Sequence, residues 1–556
     1  MKRQFINRNT IGEDLIAGLV LGISSIPDGL AHGLLALINP IQGLYGYMMG
    51  TFTGAFFTSS TFMSVQATSA MALVVASVPQ VTAGGDPNST LFALAILTGV
   101  FMLAAGLLKL GSMVRFVPNA VMTGFINAVA VLMILGQLDD FTGYSSTGAN
   151  RIVRTLDLLQ NLDQVHLPTL MVGILTIVVI LTLEKTSLKS LGIVVSIIVA
   201  SLVVPLIGAE EIELVRDVAI IPDSLPRPIL PSPALFLGLI IPALSLTFVG
   251  LMQGAGITQS IPEPDGSYPD ASGDFVGQGV ANVVSGLFQG TAVGGSLSGT
   301  SLVVSAGARS RLANISAGLV MALTIVVFGR FVGAIAMPVL AGLLIVVGFR
   351  TLKPQKISMV WKTGMVQRAV ITLTFLAALF IPLQYAVLLG VALAVLLYVF
   401  QQSNTVNVKA WEIGPGQYPV EKDPPAVVPG GQVTILMPYG SLFYAAAPVF
   451  SAQLPEVTDA TRHAAVILTL RGQTDVGSTF LKALTRYTEQ LGQQDSKLML
   501  AGVEPSVLTQ MERVGILQTI GRAAVFPASE GIGEALLQAV EAAEQWIATQ
   551  REGGAD

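Results

Sequence analysis

The chain holds no cysteine, which removes disulfide frameworks, thiolate metal sites and cysteine nucleophiles together. Its three histidines, His32, His166 and His463, lie far apart and form no HExxH or comparable ligand spacing, so neither a metal nor a cofactor is expected. Charge is scarce as well. Only 11% of residues are charged, the net is -5, and no basic stripe could follow a phosphate backbone, which argues against nucleic acid as a partner. What remains is apolar: 52% of the residues are hydrophobic and the mean hydropathy is +0.71, far outside the range of soluble domains. These values predict a protein whose solvent is the lipid bilayer. Lys2, Arg3 and Arg8 precede the first apolar run in the manner of a secretory signal. Further apolar runs follow instead of a cleavage site and a soluble body, so the three cations read as a cytoplasmic flank.

From about Glu13 to Gln401 the chain is a succession of apolar blocks, many near the roughly 20 residues that cross a bilayer core. Clear spans are Leu91 to Leu110, Ala120 to Gln137, Thr169 to Leu183, Leu188 to Ile207, Ala234 to Met252, Ala313 to Phe331 and Ala369 to Val399. The last is long enough for two crossings, broken at Ile381-Pro382. Lys109 with Arg115, Lys185 with Lys189, Arg309 with Arg311, and the group Arg350, Lys353, Lys356, Lys362 and Arg368 can all be placed on the cytoplasmic side, with both termini inside. The acidic loop Gly208 to Pro228 then lies outside. Glu263 to Asp274 is acidic yet cytoplasmic in this arrangement, although acidic residues weigh little in orientation.

After Gln401 the texture changes. The expected order is a cytoplasmic segment 1–12, a membrane domain 13–403, a Pro/Gly-containing linker 404–431 and a soluble domain 432–549. In that domain Gln432 to Leu436, Ala464 to Leu470 and Lys497 to Gly502 read as strands. Ser478 to Gln490, Pro505 to Val514 and Glu530 to Ile547 read as helices, giving an alternating β/α unit of about a hundred residues.

Two regions are wrong for plain lipid-facing helices: Leu15 to Ala72 and Ser245 to Ala306. Each combines a helix expected to be interrupted at Pro or Gly with a short apolar helix opened by Ser, Thr, Gly and Gln. Irregular backbone survives at membrane depth only where it is buried in protein or lines a wet cavity. Similar irregular elements in both halves of a chain predict an inverted repeat with a site near the midplane, between two facing helix N-termini. Each tip carries about half a positive charge and several free N–H donors. Small residues also simply let membrane helices pack closely, but packing alone does not call for Gln66, Thr68, Ser296, Ser298 and Thr300 at helix starts.

The segments IPDGLAHGLLALINPIQGLYG and GQGVANVVSGLFQGTAVGGSLSGTSLVVSAGARSRL resemble the SulP family of anion transporters. TILMPYGSLFYAAAPVF and AAVILTLRGQTDVGSTFLKAL resemble the strands and helix start of a STAS domain. The resemblance implies a helical polytopic membrane protein of about fourteen segments in two inverted repeats of seven, with core and gate domains and a C-terminal cytoplasmic α/β STAS-like domain. It implies no enzyme activity but an elevator-like, secondary active transport of small anions (sulfate, bicarbonate or a dicarboxylate), coupled to protons or sodium. It further implies a homodimer in the cell inner membrane and an unidentified cytoplasmic partner for the tail. By position, the family's anion site falls on Asp28, His32, Gln66, Ala67, Thr68, Ser298, Gly299 and Thr300.

Three departures from the family pattern stand out. Gly299 replaces an arginine, Gln253 a carboxylate and Asp28 a glutamine. Loss of the arginine leaves helix tips and hydroxyls to attract an anion. Gln253 occupies a coupling position without a charge, and Asp28 could supply one, with His32 a helical turn beyond it. Asp28 is therefore expected either to carry the coupled proton or to cap a broken helix. In the tail, Val476 stands where many STAS domains have a phosphorylatable serine, and Ser478 reads as an N-cap or a switch. An uncoupled anion channel or exchanger and a nucleobase permease remain alternatives.

Overall fold

The computed structural model describes residues 10–111, 117–186, 191–206, 211–218, 224–413 and 419–553. The flanking cations Lys2, Arg3, Arg8, Arg115 and Lys189 and the acidic Glu210 and Asp223 lie outside the described residues. The chain divides into two compact units, Met1–Ala394 and Val395–Asp556.

The first unit is helical. Its first seven segments are α1 (Ile11–Leu35), α2 (Pro40–Phe57), β1 (Ser64–Gln66) leading into α3 (Ser69–Ala76), α4 (Pro87–Leu107), α5 (Asn119–Leu135), α6 (Leu167–Leu183) and α7 (Leu191–Leu206). The second seven are α8 (Ile240–Ser260), α9 (Ala271–Leu287), β2 (Gly294–Ser296) leading into α10 (Leu297–Ser305), α11 (Leu312–Gly333), α12 (Met337–Thr351), α13 (Met365–Phe380) and α14 (Leu383–Ser403), whose last residues belong to the second unit. The two sevens form inverted repeats. One packed group joins α1, α2 and α4 to α9 and α11, and another joins α5 and α6 to α12 and α13. The break at Ile381 and Pro382 separates α13 from α14, as the absent proline N–H predicts.

Three expectations change. Helix α1 is not broken: it runs unbroken through Pro27, and α8 is also one helix. Helix α1 packs closely against α2, since a Cβ at Gly33 would lie 2.7 Å from Pro40 Cα and one at Gly29 would lie 2.9 Å from Leu44 Cα. Those glycines of the first motif let α1 and α2 touch along their backbones. The span read as Ala234 to Met252 is split at Leu239, and its main helix continues to Ser260.

Arg311 is not a flanking charge. Its side chain is buried and donates to Ala55 O at 2.9 Å and Ser59 O at 2.7 Å, meeting carbonyls that the end of α2 leaves without helical partners. Two buried carboxylates bind neighbouring turns. Asp14 accepts from the N–H groups of Arg309 (2.7 Å) and Ser310 (2.8 Å). Asp274 accepts from Ser60 N at 2.7 Å and from Thr258 Oγ1 at 2.7 Å. Glu263 accepts from Thr61 N at 2.8 Å. The acidic stretch that fitted poorly as an orientation signal is thus used to close the turn between α2 and β1, satisfying backbone donors.

In the second unit β3 (Asn407–Glu412), β4 (Val420–Lys422), β5 (Val433–Tyr439), β6 (Ala465–Thr469), β7 (Lys497–Val503) and β8 (Val525–Pro527) form one sheet in the order β4-β3-β5-β6-β7-β8. Strands β5 to β8 run parallel, joined by crossovers that include α15 (Ser478–Gly492) and α16 (Pro505–Val514), with α17 (Glu534–Gly553) following β8. The stretch 404–431 is therefore not only a linker, because β3 pairs antiparallel with β5 and β4 with β3. Strand β4 is short and exposed, and β3 buries only Val408, so neither shows the apolar alternation that marks a half-buried strand.

Candidate functional site

Strands β1 and β2 pair antiparallel in the middle of the first unit, with Ser64 opposite Ser296 and Gln66 opposite Gly294. Because the two strands run in opposite directions, α3 and α10 leave the ribbon from opposite ends, with their N-termini turned toward each other. The ribbon is locked from outside. Asn282 on α9 holds both the N–H of Val293 (2.8 Å) and its carbonyl (2.6 Å), and Gln278 Oε1 accepts from Gly295 N at 3.0 Å. Asn314 on α11 accepts from Ser64 Oγ at 2.8 Å and donates to Phe62 O at 3.1 Å. These amides replace the ladder partners that two three-residue strands cannot supply.

The predicted residues gather at this ribbon in specific pairs. Thr68 caps α3, accepting from Met71 N at 3.4 Å, and its hydroxyl donates to Gln253 Oε1 at 2.8 Å. Gln66 donates to Ser25 Oγ on α1 at 3.0 Å. A Cβ added at Gly299 would overlap Gln66 Oε1, so the glycine is what lets Gln66 lie against the α10 tip. Ser296 caps α10 by accepting from Gly299 N at 3.1 Å and sits 3.2 Å from Ser298 Oγ. Thr300 turns inward, since its hydroxyl donates to Ser296 O at 2.6 Å and accepts from Ser64 N at 3.0 Å. Ala67 is buried. Ser298 is exposed, while Thr68 and Ser69 are half-buried, so the tips can be reached.

His32 lies one turn after Asp28 on the unbroken α1, as the spacing predicts. Its Nδ1 is 2.7 Å from the Asp28 carbonyl oxygen. A carbonyl only accepts, so Nδ1 carries the proton in the neutral ring and Nε2 accepts from Ser69 Oγ at 3.0 Å. Tyr47 Oη lies 3.0 Å from the same Nδ1. Asp28 Oδ1 is buried and meets no hydrogen-bond donor. Ser69, Tyr47, Ser25 and the three bracing amides, Asn282, Gln278 and Asn314, are not singled out by the sequence. Gln278 and Asn282 did fall inside a quoted motif, and Ser69 follows directly on Thr68.

The tips themselves, Gln66–Ser69 and Ser296–Thr300, include no charged side chain. Helix geometry leaves the N–H groups of Ser69 and Ala70 on α3, and of Leu297 and Ser298 on α10, without intrahelical partners. The arrangement offers donors and partial positive charge from two sides. Such discontinuous elements between inverted repeats define a membrane carrier.

A model of the sulfate permease family matches residues 11–374, and a STAS domain model matches residues 424–532. The chain belongs to the sulfate permease family and is an anion transporter, not an enzyme. It is 23% identical over 539 residues to sulfate transporter 4.1, chloroplastic, of Arabidopsis thaliana, covering 92% of this chain and 78% of that one. To the bicarbonate transporter BicA of a Picosynechococcus strain it is 25% identical over 418 residues, 73% of each chain. The solved structure of the murine solute carrier 26 family member A9 anion transporter, inward-facing, superposes with a TM-score of 0.85 at 19% identity, covering 98% of this chain and 93% of that one.

Proposed function

We propose that the chain is a secondary active, proton-coupled carrier that binds its anion between the α3 and α10 tips and moves it by an elevator-like displacement of the packed group holding them. The observation that carries this reading is the pair of opposed, hydroxyl-capped tips with no charged side chain at either. In low dielectric, oriented N–H groups can hold an anion without a fixed cation. Absence of a cation at Gly299 and small residues along the tips favour an organic dicarboxylate over the more strongly hydrated sulfate, with bicarbonate, named for one relative, a further candidate. Asp28 carries the coupled proton: its Oδ1 is buried without a donor, which favours a protonated carboxyl or a bound cation. Gln253 binds through Thr68 and carries no charge, so sodium has no second carboxylate there. The carrier is a homodimer in the cell inner membrane with both termini cytoplasmic, and the STAS domain offers its surface to a cytoplasmic partner.

Uptake of labelled fumarate, succinate, sulfate and bicarbonate into proteoliposomes, with and without an inward proton gradient, tests this directly. Expected is gradient-driven accumulation of one of these, abolished as accumulation but not as downhill exchange in Asp28→Asn. Undiminished gradient-driven uptake in that variant removes Asp28 from coupling. Dissipation without any proton movement points to a channel, and competition by uracil to a nucleobase permease.

A further inference from the structure

Between α12 and α13 a short helix, Pro354–Thr363, lies across the ends of α5 and α13. Its start is tied to α5, since Lys353 N donates to Asn127 Oδ1 at 2.9 Å. Its end is tied to α13, where Arg368 Nε donates to Trp361 O at 2.7 Å and the guanidinium lies 5.9 Å from the Trp361 ring centre. Beneath it is a crevice of about 320 Å³. Gly124 from α5, Ile357 and Trp361 from the short helix, and Ile371, Phe375 and Leu376 from α13 contribute its walls. The helix is amphipathic in a particular way. Ile357 and Trp361, four apart, face the crevice, while Lys356 and Lys362 are each rotated about 100° from that face on opposite sides. Both lysines are exposed. No aspartate or glutamate occurs anywhere between Asp274 and Glu412, so this segment supplies no local anion to neutralise them.

An apolar slot capped by an interfacial helix, with an aromatic ring at its mouth and lysines on both borders, has the charge and shape of a phospholipid whose headgroup is negative. Every lipid-facing surface touches acyl chains. This one also presents paired cations at headgroup depth and a recess that a flat helix bundle lacks. We infer that the crevice under Pro354–Thr363 is a site for an anionic phospholipid, one acyl chain lying between α5 and α13 and the phosphate held by Lys356 and Lys362. The ligand would fix the short helix against α5 and α13.

Trp361 allows a direct test, because the chain's other two tryptophans, Trp411 and Trp546, lie in the second unit. The full-length protein is placed in bilayers containing phosphatidylglycerol or phosphatidylcholine with brominated chains, and quenching of Trp361 is followed against mole fraction. Two lysines at the surface, each contributing an attraction of the usual size, predict a preference for phosphatidylglycerol of about tenfold or more. Lys356→Gln with Lys362→Gln lowers the preference to below about threefold while quenching by phosphatidylcholine persists. Thr372 on α13 also lines the crevice, and Thr372→Trp, which fills it, lowers the number of phosphatidylglycerol molecules retained per chain in native mass spectrometry, with phosphatidylcholine as the comparison lipid. Equal quenching by the two lipids in the wild type, or a preference unchanged by the double lysine variant, overturns the inference. Protection of Trp361 from both lipids together with protomer cross-linking at Thr372→Cys means that a second copy fills the crevice, which also overturns it.

Discussion

Replacing Thr68 by valine keeps the shape of the side chain and deletes the hydroxyl that makes two bonds at the α3 tip. One is the 2.8 Å bond donated to Gln253 Oε1, a neutral interaction worth about 1 kcal/mol net. The other is the 3.4 Å cap accepted from Met71 N, and losing an N-cap costs about 1 kcal/mol. The total, about 2 kcal/mol, corresponds to about 30-fold in an equilibrium constant. A substrate held at this tip depends on the geometry those bonds fix, so the KM for anion uptake in proteoliposomes rises by up to about 30-fold in Thr68→Val. Thr68→Ser preserves the hydroxyl and stays within about threefold of wild type. A wild-type KM in the valine variant refutes the reasoning. So does equal damage from serine and valine, because serine keeps the hydroxyl that valine lacks.

Gly299→Arg introduces a cation at the α10 tip and pushes Gln66 away from its place, with Gln66 Oε1 the atom in the way. Because that atom ends a flexible chain, the variant folds, and sulfate competes about tenfold more strongly for uptake, the gain expected of a charge-assisted bond. Arg311→Met leaves the carbonyls of Ala55 and Ser59 without their donor. It destabilises the protein by about 3 kcal/mol, seen as a lower melting temperature in detergent, with an unchanged KM in whatever protein survives. In the second unit Lys409 Nζ lies 2.7 Å from Asp423, and this bond and charge hold the Asp423 carboxyl below its ordinary range. A depressed folded-state value means that the pair's small, salt-screened contribution is present above the ordinary aspartate range and is lost as pH falls through the depressed one. Asp423→Asn therefore differs from wild type in denaturant melts at neutral pH and converges with it in acid.

Much of this architecture is legible in the sequence, and the reasons differ by element. Spans such as Thr169 to Leu183 are long apolar runs, and burial in lipid leaves a signal in composition that needs no partner. Strands β6 and β7 are short, mainly apolar and buried runs bounded by turns, and the helices that follow them repeat every 3.6 residues. By contrast β1 and β2 are three residues each, too short for any period. Their existence depends on side chains outside the strands, Gln278 and Asn282 on the preceding helix and Asn314, 250 residues from Ser64. Helix α12 does not stand out as a span in the sequence, because its apolar run is short and ends in a cation. Pro27 reads as a break because proline removes one backbone donor, whereas α1 runs through it unbroken.

The site divides the same way. The caps Thr68 and Ser296 were visible as hydroxyls before apolar helices, and the turn from Asp28 to His32 as an i, i+4 spacing. Pairings such as Thr68 with Gln253, 185 residues apart, or Ser64 with Thr300, 236 apart, exist only in three dimensions. That the Thr300 hydroxyl is consumed in holding β1 also could not be read from its place at a helix start.

The account rests on an anion held by backbone N–H groups from two sides, and anomalous diffraction from crystals grown with selenate or bromosuccinate locates such an anion. The predicted result is a single peak between the tips, about 3–4 Å from the nitrogens of Ser69 or Ala70 and of Leu297 or Ser298. A peak on a guanidinium or ammonium group elsewhere in the first unit, with none between α3 and α10, contradicts it.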